Sequence, residues 1–257
     1  MYTIITLPLI PMRAAAEDSG EMVSQLLFGE QIEILSTEEK WLYVRNLSDN
    51  YEGWIGRKTV SKRHFTEQPL DTSHFKASKP AFVVCFKTSS VEKIILPGGS
   101  MLPPVSHEQF ELLGEIYQLA QFEPSYAKTD LGSLTVELSR QYINAPYLWG
   151  GKSVFGVDCS GLVQVVFAMV GKILPRDASQ QVELGQVVDF LEEVKAGDLA
   201  FFENEEGRIV HVGILVNSHQ IIHASGCVKI EIIDAQGIIS SQTGEYTHKL
   251  RVIKRIL

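Results

Sequence analysis

The chain has 257 residues, of which 45% are apolar and 21% charged. That composition is typical of a globular protein with a sizeable hydrophobic core. The formal net charge of -8 argues against a nucleic-acid or anionic-membrane partner, because both would be repelled by an acidic protein.

The first residues raise the question of a signal peptide. Residues 2–11 are apolar, but they lack a basic start and a small-residue cleavage site, and they alternate like a strand. The longest later apolar run, 162–170, is too short to span a bilayer. The three cysteines form no disulfide framework and fit a reducing compartment. We therefore expect a cytoplasmic protein; a chain trimmed of its leader would look the same and would be periplasmic or secreted.

The first half of the chain is predicted to consist of short strands separated by turns. Apolar and polar residues alternate in runs at 31–35, 41–45 and 53–56. Turn-forming residues lie between these runs, so the pattern predicts a small all-β barrel that ends near Val60. A second strand-rich stretch includes residues 81–86 and 93–96, and its spacing suggests a degenerate repeat of the first.

Beyond this half the pattern changes to helices mixed with strands. Apolar residues at 131, 134, 138 and 142 predict a helix over 129–142, with Asp130 close to its start. Further strands are predicted at 198–202, 211–216, 221–224 and 229–233. The domains are therefore predicted to be a β-barrel at 1–66, a second and degenerate β-barrel at 67–123, and an α+β domain at 124–257.

A cysteine at the start of a predicted buried helix is the first candidate for chemistry. Asp158 is a good N-cap residue, and the apolar run 162–170 predicts a helix that is buried on all sides. Cys159 would lie in the first helical turn, where free N–H groups and the helix dipole favour the thiolate. The thiolate is the form that attacks carbonyl groups. A single buried cysteine is more often structural, so this interpretation requires a base.

Two of the seven histidines are candidates for that base. His211 and His223 lie inside predicted strands, and the short polar link between them predicts an antiparallel hairpin. A three-residue turn at 216–218 would place them directly opposite each other on one face, whereas a four-residue turn without a bulge would place them on opposite faces. The pattern predicts Cys159 as nucleophile, His211 as base and His223 as the orienting residue. The other histidines are predicted to be solvated surface residues: His64, His74, His107, His219 and His248.

Six sequence blocks of the second half together resemble the NlpC/P60 family of peptidases. The blocks are Tyr147-Leu-Trp-Gly-Gly, Asp158-Cys-Ser-Gly-Leu, Leu174-Pro-Arg, Ala196-Gly-Asp-Leu-Ala-Phe-Phe, His211-Val-Gly-Ile and Ile222-His-Ala-Ser. The first half resembles the bacterial SH3 domains that often precede this peptidase domain. The resemblance implies a papain-like α+β catalytic domain after two small SH3-like β-barrels, and it gives Cys159, His211 and His223 the same three roles.

The resemblance extends to a subgroup, the γ-D-glutamyl-L-diamino acid endopeptidases. It implies that the substrates are free murein peptides that begin with L-Ala-γ-D-Glu, and that Glu21, Tyr51 and Asp158 face the substrate's N-terminal ammonium. A carboxylate cluster binds a cation and rejects an acylated, uncharged terminus. Further substrate contacts are expected from Tyr147, Trp149, Ser160, Asp177 and Ala178.

One position departs from the family pattern. Relatives commonly have a hydroxyl residue two positions after the arginine of the Pro-Arg block, where this chain has Ala178. The corresponding contact would come from backbone groups of Asp177 and Ala178, or from the neighbouring Ser179. The departure bears on the acyl-side contacts and leaves the chemistry unchanged.

Other classes of function remain open from the sequence. The protein could be a non-catalytic murein-binding protein, or an amidase or acyltransferase on the same fold. A zinc site formed by Cys159, His211, His223 and Cys227 is disfavoured, because the spacing lacks the close ligand pairs of structural zinc sites. We expect no metal and no cofactor, a murein-derived peptide as substrate, no nucleic acid or membrane partner, and a monomer.

Overall fold

The computed structural model describes residues 1–120 and 130–257, and these form two compact units. Unit one contains the described residues up to 120 together with Trp149–Ser153, and unit two contains the other described residues. The predicted domain boundary between residues 123 and 124 lies outside the described residues. The division into three domains therefore stays a prediction.

Unit one begins with a six-stranded antiparallel sheet in the order β1-β4-β5-β6-β2-β3. Its strands are β1 (Tyr2–Ile4), β2 (Leu9–Arg13), β3 (Met22–Leu27), β4 (Gln31–Thr37), β5 (Trp41–Asn46) and β6 (Glu52–Gly56). Alternate residues of β5 and β6 point into one apolar core, which includes Leu42, Val44 and Ile55. The three strands predicted from alternation are confirmed as β4, β5 and β6.

The rest of unit one has a smaller sheet. Four strands pair in the order β11-β12-β8-β9, and a separate pair joins β10 to β7. These strands are β7 (Lys76–Ala77), β8 (Phe82–Lys87), β9 (Lys93–Pro97), β10 (Met101–Leu102), β11 (Gln109–Leu112) and β12 (Glu115–Leu119). Phe110 and Tyr117 stack with centroids 4.9 Å apart, and Phe28 packs edge-on to both rings. The strands predicted at 81–86 and 93–96 are confirmed as β8 and β9.

Unit two combines helices with a seven-stranded antiparallel sheet in the order β15-β21-β16-β17-β18-β19-β20. An additional pairing of β20 with β21 closes the sheet on itself. The helices are α1 (Leu131–Arg140), α2 (Cys159–Met169) and α3 (Ala178–Gln181), and a short strand β14 (Gly156–Val157) precedes α2, after β13 (Lys152–Ser153) of unit one. The sheet contains β15 (Gln186–Val188), β16 (Leu199–Glu203), β17 (Ile209–Asn217), β18 (Gln220–Ser225), β19 (Cys227–Ile233), β20 (Gly237–Ile239) and β21 (Tyr246–Arg255).

The local signals for the two longer helices are reproduced in the structure. The Asp130 side chain accepts a hydrogen bond from Ser133 N–H and caps α1, although residue 129 of the predicted helix lies outside the described part of the chain. Asp158 accepts from Gly161 N–H at 2.7 Å and caps α2. Because α2 is apolar on all faces, nearly all of its residues are buried.

The long last strand, β21, was not predicted from the sequence. It lies between β15 and β16 in the sheet and also pairs with β20. No helix within residues 1–120 and 130–257 is long and apolar enough to cross a membrane.

Candidate active site

Cys159 is the first residue of α2 and is buried, with 6% of its surface exposed. Its sulfur receives hydrogen bonds from the backbone N–H groups of Val212 and Ser160. Val212 follows His211 in β17, so the nucleophile candidate lies against the strand that carries the base candidate. Within the described part of the chain no hydrogen bond joins this sulfur to the His211 ring.

The helix start acts on the pKa of Cys159 in the expected direction, but burial outweighs it. Burial, followed by the nearby Asp158 carboxylate, raises the pKa of Cys159 to about 11. The two backbone N–H groups and Arg176 act in the opposite direction, but their effect is smaller than that of burial. The resting group at neutral pH is therefore the thiol.

His211 and His223 are in contact, as the sequence predicts, but through a different register. Ile214 pairs with Ile222, and the strands are joined by a two-residue turn with a bulge at Val216. His211 is therefore not directly opposite His223, and the turn is neither of the two that the sequence left open. The bulge shifts the register by one residue, so both rings share one face, and Nε2 of His211 lies 2.9 Å from Nδ1 of His223.

Gly213 makes room for this diagonal contact. The register places it beside His223, where an added Cβ would lie 3.0 Å from the His223 Cβ and 2.7 Å from Cδ1 of Ile221. A side chain at this position would push the His223 ring away from its partner.

Both rings are buried and neutral. Burial, followed by the neighbouring imidazoles of His248 and His223, lowers the pKa of His211 well below its usual value. Burial likewise lowers the pKa of His223 to about 4, against the opposing effect of Glu231. An uncharged His211 can accept a proton, which is what a general base must do.

Glu231 is the third side chain of a hydrogen-bonded row that runs from His211 through His223 to Glu231. No sequence pattern above identified it. Its side chain is 1% exposed, and Oε2 lies 2.9 Å from Nε2 of His223. The signal that could have revealed it is a carboxylate between isoleucines in the interior of a predicted strand, where an acidic residue requires a partner.

His248 was predicted to be a solvated surface residue, and that is wrong. It lies half-buried on β21, and its ring stacks on His211 with centroids 4.2 Å apart. The prediction failed because β21 was missed. The alternation of His248, Leu250 and Val252 towards the inside of that strand could have revealed both.

Arg176 is a second residue that the sequence analysis left without a role. It is 1% exposed, and its guanidinium contacts both oxygens of Asp158, at 3.1 and 2.5 Å. It also donates to Oγ of Ser160 at 2.8 Å. Asp158 therefore holds the start of α2 in two ways, by capping the helix and by pairing with a buried cation.

The remaining predicted substrate contacts in unit two lie around the same helix start. Tyr147 is partly exposed, and burial, followed by the proximity of Cys159 and Asp158, raises its pKa to about 12. Ala178 is the buried first residue of α3, and Asp177 is its N-cap. These positions are compatible with substrate contacts, which stay predictions.

The predicted substrate contacts in unit one are held by local interactions. Glu21 is exposed, and its carboxylate accepts a hydrogen bond from Nε1 of Trp149 at 2.7 Å. Tyr51 is half-buried and packs against the core of the six-stranded sheet. Their roles towards a substrate also stay predictions.

Three histidines offer a possible set of metal donors. His211, His223 and His248 each place a ring nitrogen within 4.8 Å of the others. The rings of His211 and His248 are stacked, with an interplanar angle of 30°. Across the described ranges, neither Cys159 nor Cys227 joins this group, so the zinc set considered from the sequence is not assembled.

Comparison with known proteins gives two family matches. The NlpC/P60 family matches residues 144–253, and the bacterial dipeptidyl-peptidase Sh3 domain matches residues 12–59.

Whole-chain relatives agree with these matches. A gamma-D-glutamyl-L-lysine dipeptidyl-peptidase of Bacillus subtilis is 31% identical over 227 residues, which cover 82% of this chain and 75% of the relative. Dipeptidyl-peptidase 6 of Lysinibacillus sphaericus is 28% identical over 249 residues, 88% of each chain. A solved NlpC/P60 family protein from Bacillus cereus superposes with a TM-score of 0.81 over 100% of both chains at 19% identity, which shows the shared fold.

Proposed function

The chain belongs to the NlpC/P60 family, and from that premise we propose that it is a cysteine peptidase acting on murein peptides. The bond cleaved is the one between γ-D-Glu and the diamino acid, in peptides with a free N-terminal L-Ala. The observation that carries the proposal is the position of Cys159 at the start of α2, where its sulfur accepts from the N–H of Val212, the residue after His211 in β17. The relatives named as dipeptidyl-peptidases support the substrate class.

The first chemical step starts from neutral groups. Because burial disfavours both the thiolate and the imidazolium, the thiol proton moves to His211 as the sulfur attacks the γ-carbonyl carbon. The carbonyl π bond opens to an oxyanion, for which the Cys159 N–H and the Tyr147 hydroxyl are candidate donors. This coupled transfer replaces the preformed thiolate–imidazolium pair that the sequence suggested.

The second half of the reaction returns the enzyme to its resting state. Protonated His211 gives its proton to the amine of the diamino acid as the C–N bond breaks, which leaves a thioester of L-Ala-D-Glu on Cys159. Water then attacks the thioester while His211 removes its proton, and the thiol departs with that proton restored. The products are the dipeptide L-Ala-D-Glu and a peptide or amino acid that begins with the diamino acid.

Recognition of the free N-terminus is part of the proposal. Glu21 and Tyr51 are proposed to recognise the N-terminal ammonium of L-Ala, and Glu21 would supply the negative charge. An acetylated terminus has no positive charge to offer such a site.

Mass spectrometry of reaction products tests the proposal. The wild-type protein is incubated with L-Ala-γ-D-Glu-diaminopimelate and, separately, with its N-acetylated form. We expect L-Ala-D-Glu from the free peptide and at least about 100-fold slower cleavage of the acetylated one, consistent with loss of a charge-assisted contact. Equal rates on both peptides would contradict the ammonium site, and failure to cleave either would contradict the assigned reaction.

A further inference from the structure

We propose that Glu231 is a positioning residue that fixes the ring tautomers of His223 and His211, so that Nδ1 of His211 receives the proton of Cys159. The inference depends on the proposed function for the role of His211 as base. The arrangement of protons that it describes belongs to the folded protein itself and is measurable without a substrate.

The Glu231 side chain only accepts hydrogen bonds. Its Oε1 accepts from the backbone N–H of Ser241 at 3.0 Å and from the Ser241 hydroxyl at 3.2 Å, and Nζ of Lys229 lies 3.3 Å away. Although burial acts to raise it, these contacts and His223 leave the pKa of Glu231 below its usual value. The group is therefore a carboxylate without a proton to donate.

The proton arrangement then follows ring by ring. Oε2 of Glu231 is 2.9 Å from Nε2 of His223, so Nε2 must carry the hydrogen. A neutral imidazole has one N–H, which leaves Nδ1 of His223 as an acceptor. Because Nε2 of His211 lies 2.9 Å from that acceptor, it must be the protonated nitrogen of His211. Nδ1 of His211 is therefore unprotonated, and it is the atom that can accept a proton.

The same row also favours the charged intermediate. When Nδ1 of His211 is protonated, the new positive charge is buried, and an isolated buried charge is costly. Its Nε2–H still donates to His223, whose own N–H points to the Glu231 carboxylate. The negative charge thus stabilises the imidazolium across one neutral ring, without the proton of His223 leaving.

The fold anchors Glu231 through a residue that has no catalytic role. Glu231 pairs with Ile221 and lies diagonally across from His223, with Oε2 towards the ring. Ser241, just beyond β20, provides the backbone N–H that orients Oε1. The amide form of this side chain is therefore expected to bind in a single orientation.

Glu231→Gln tests the proposal, because it should reverse the proton arrangement. Ser241 N–H and Lys229 require an oxygen at the Oε1 position, so the amide NH₂ must face Nε2 of His223. His223 would then carry its hydrogen on Nδ1, and His211 would be forced to place its own hydrogen on Nδ1, the nitrogen that has to accept the proton of Cys159. We expect kcat on L-Ala-γ-D-Glu-diaminopimelate to fall about 10²- to 10⁴-fold with KM changed less than about 3-fold, as for a wrong tautomer in other triads.

The matched control is Asp234→Asn. Asp234 follows the same strand and also accepts a side-chain and a backbone hydrogen bond, from Tyr246 and Gln236, but does not touch the histidines. We expect its kcat to stay within about 3-fold of wild type. An equal loss in both variants would indicate a general structural effect and would overturn the proposal.

Nitrogen-15 NMR of the histidine rings provides the readout that activity alone cannot. In the wild type at pH 7 we expect Nε2 protonated and Nδ1 bare on both His211 and His223, and the opposite on both rings in Glu231→Gln. A wild-type His211 with its hydrogen on Nδ1 overturns the inference, even if the variant does not fold. A wild type that shows the expected tautomers but does not cleave the peptide would reject the proposed function, while the role of Glu231 in fixing the tautomers would be supported.

Discussion

At the scale of single residues, the central finding is that burial determines the resting protonation of the reacting pair. The sequence placed Cys159 at a helix start, where a thiolate is favoured. The structure retains that position, and the pKa of Cys159 is nevertheless raised to about 11, because the sulfur is almost completely removed from water. Burial has the opposite effect on the base, because it lowers the pKa of His211 well below its usual value.

The raised pKa of Cys159 and the lowered pKa of His211 together predict how the rate of alkylation depends on pH. Because the pKa of the free thiol is raised, the thiolate fraction of Cys159 should keep increasing with pH up to about 10. We expect the rate of Cys159 modification by iodoacetamide, measured by peptide mass spectrometry, to rise continuously from pH 6 to pH 10. A thiolate–imidazolium pair would instead give a fast, flat rate from about pH 5 upward, and that profile would contradict the neutral pair.

The buried ion pair of Arg176 and Asp158 gives a second prediction at this scale. Arg176→Met removes the cation and leaves Asp158 buried beside the helix start, so we expect the free energy of unfolding to fall by roughly 3–5 kcal/mol. Arg251→Met is the control, because the Arg251 side chain is 63% exposed and water screens its pair with Glu203, so its loss should be much smaller. Urea unfolding followed by circular dichroism measures both, and similar losses would argue against a special role for the buried pair.

At the scale of elements, local signals predicted most of the site, and long-range pairing accounts for the rest. Helix α2 was predictable because its cap, Asp158, and its apolar run are consecutive in the chain. The sequence predicted that His211 and His223 lie on one hairpin. The register of that hairpin depends on the bulge at Val216, and no residue type in the sequence predicts a bulge there. Arg176 and His248 reach the site from other segments, so only the folded chain shows their contacts.

Gly213 provides the prediction that belongs to the hairpin. In Gly213→Ala the new methyl group would overlap Ile221 and the base of His223, so the His223 ring should move and its contact with His211 should lengthen. We expect a loss of about 1–3 kcal/mol in stability and at least about 10-fold in kcat. Gly56→Ala is the control, because its Cβ would meet only an ordinary contact at 3.7 Å. Unchanged kcat in a folded Gly213→Ala protein would show that the diagonal contact does not matter.

At the scale of the whole molecule, the sequence predicted the class of each part better than its internal detail. The alternation in β4, β5 and β6 indicated the β module of unit one, and the six blocks of the second half indicated the peptidase domain that the NlpC/P60 match at residues 144–253 shows. The segment Trp149–Ser153 lies within that match and yet packs in unit one, where Lys152 Nζ lies 3.2 Å from the Glu30 carboxylate. That arrangement depends on tertiary contacts and could not be predicted from local patterns.

The most direct measurement of the central claim compares product release by Cys159→Ala and Cys227→Ala. Cys227 is a half-buried thiol on β19 outside the proposed row, so its replacement controls for the loss of a cysteine. Both proteins are incubated with L-Ala-γ-D-Glu-diaminopimelate, and released diaminopimelate is quantified by mass spectrometry. We predict a folded Cys159→Ala protein with at least about 10⁴-fold lower turnover and a Cys227→Ala protein close to wild type. Wild-type release of diaminopimelate by Cys159→Ala would contradict the account.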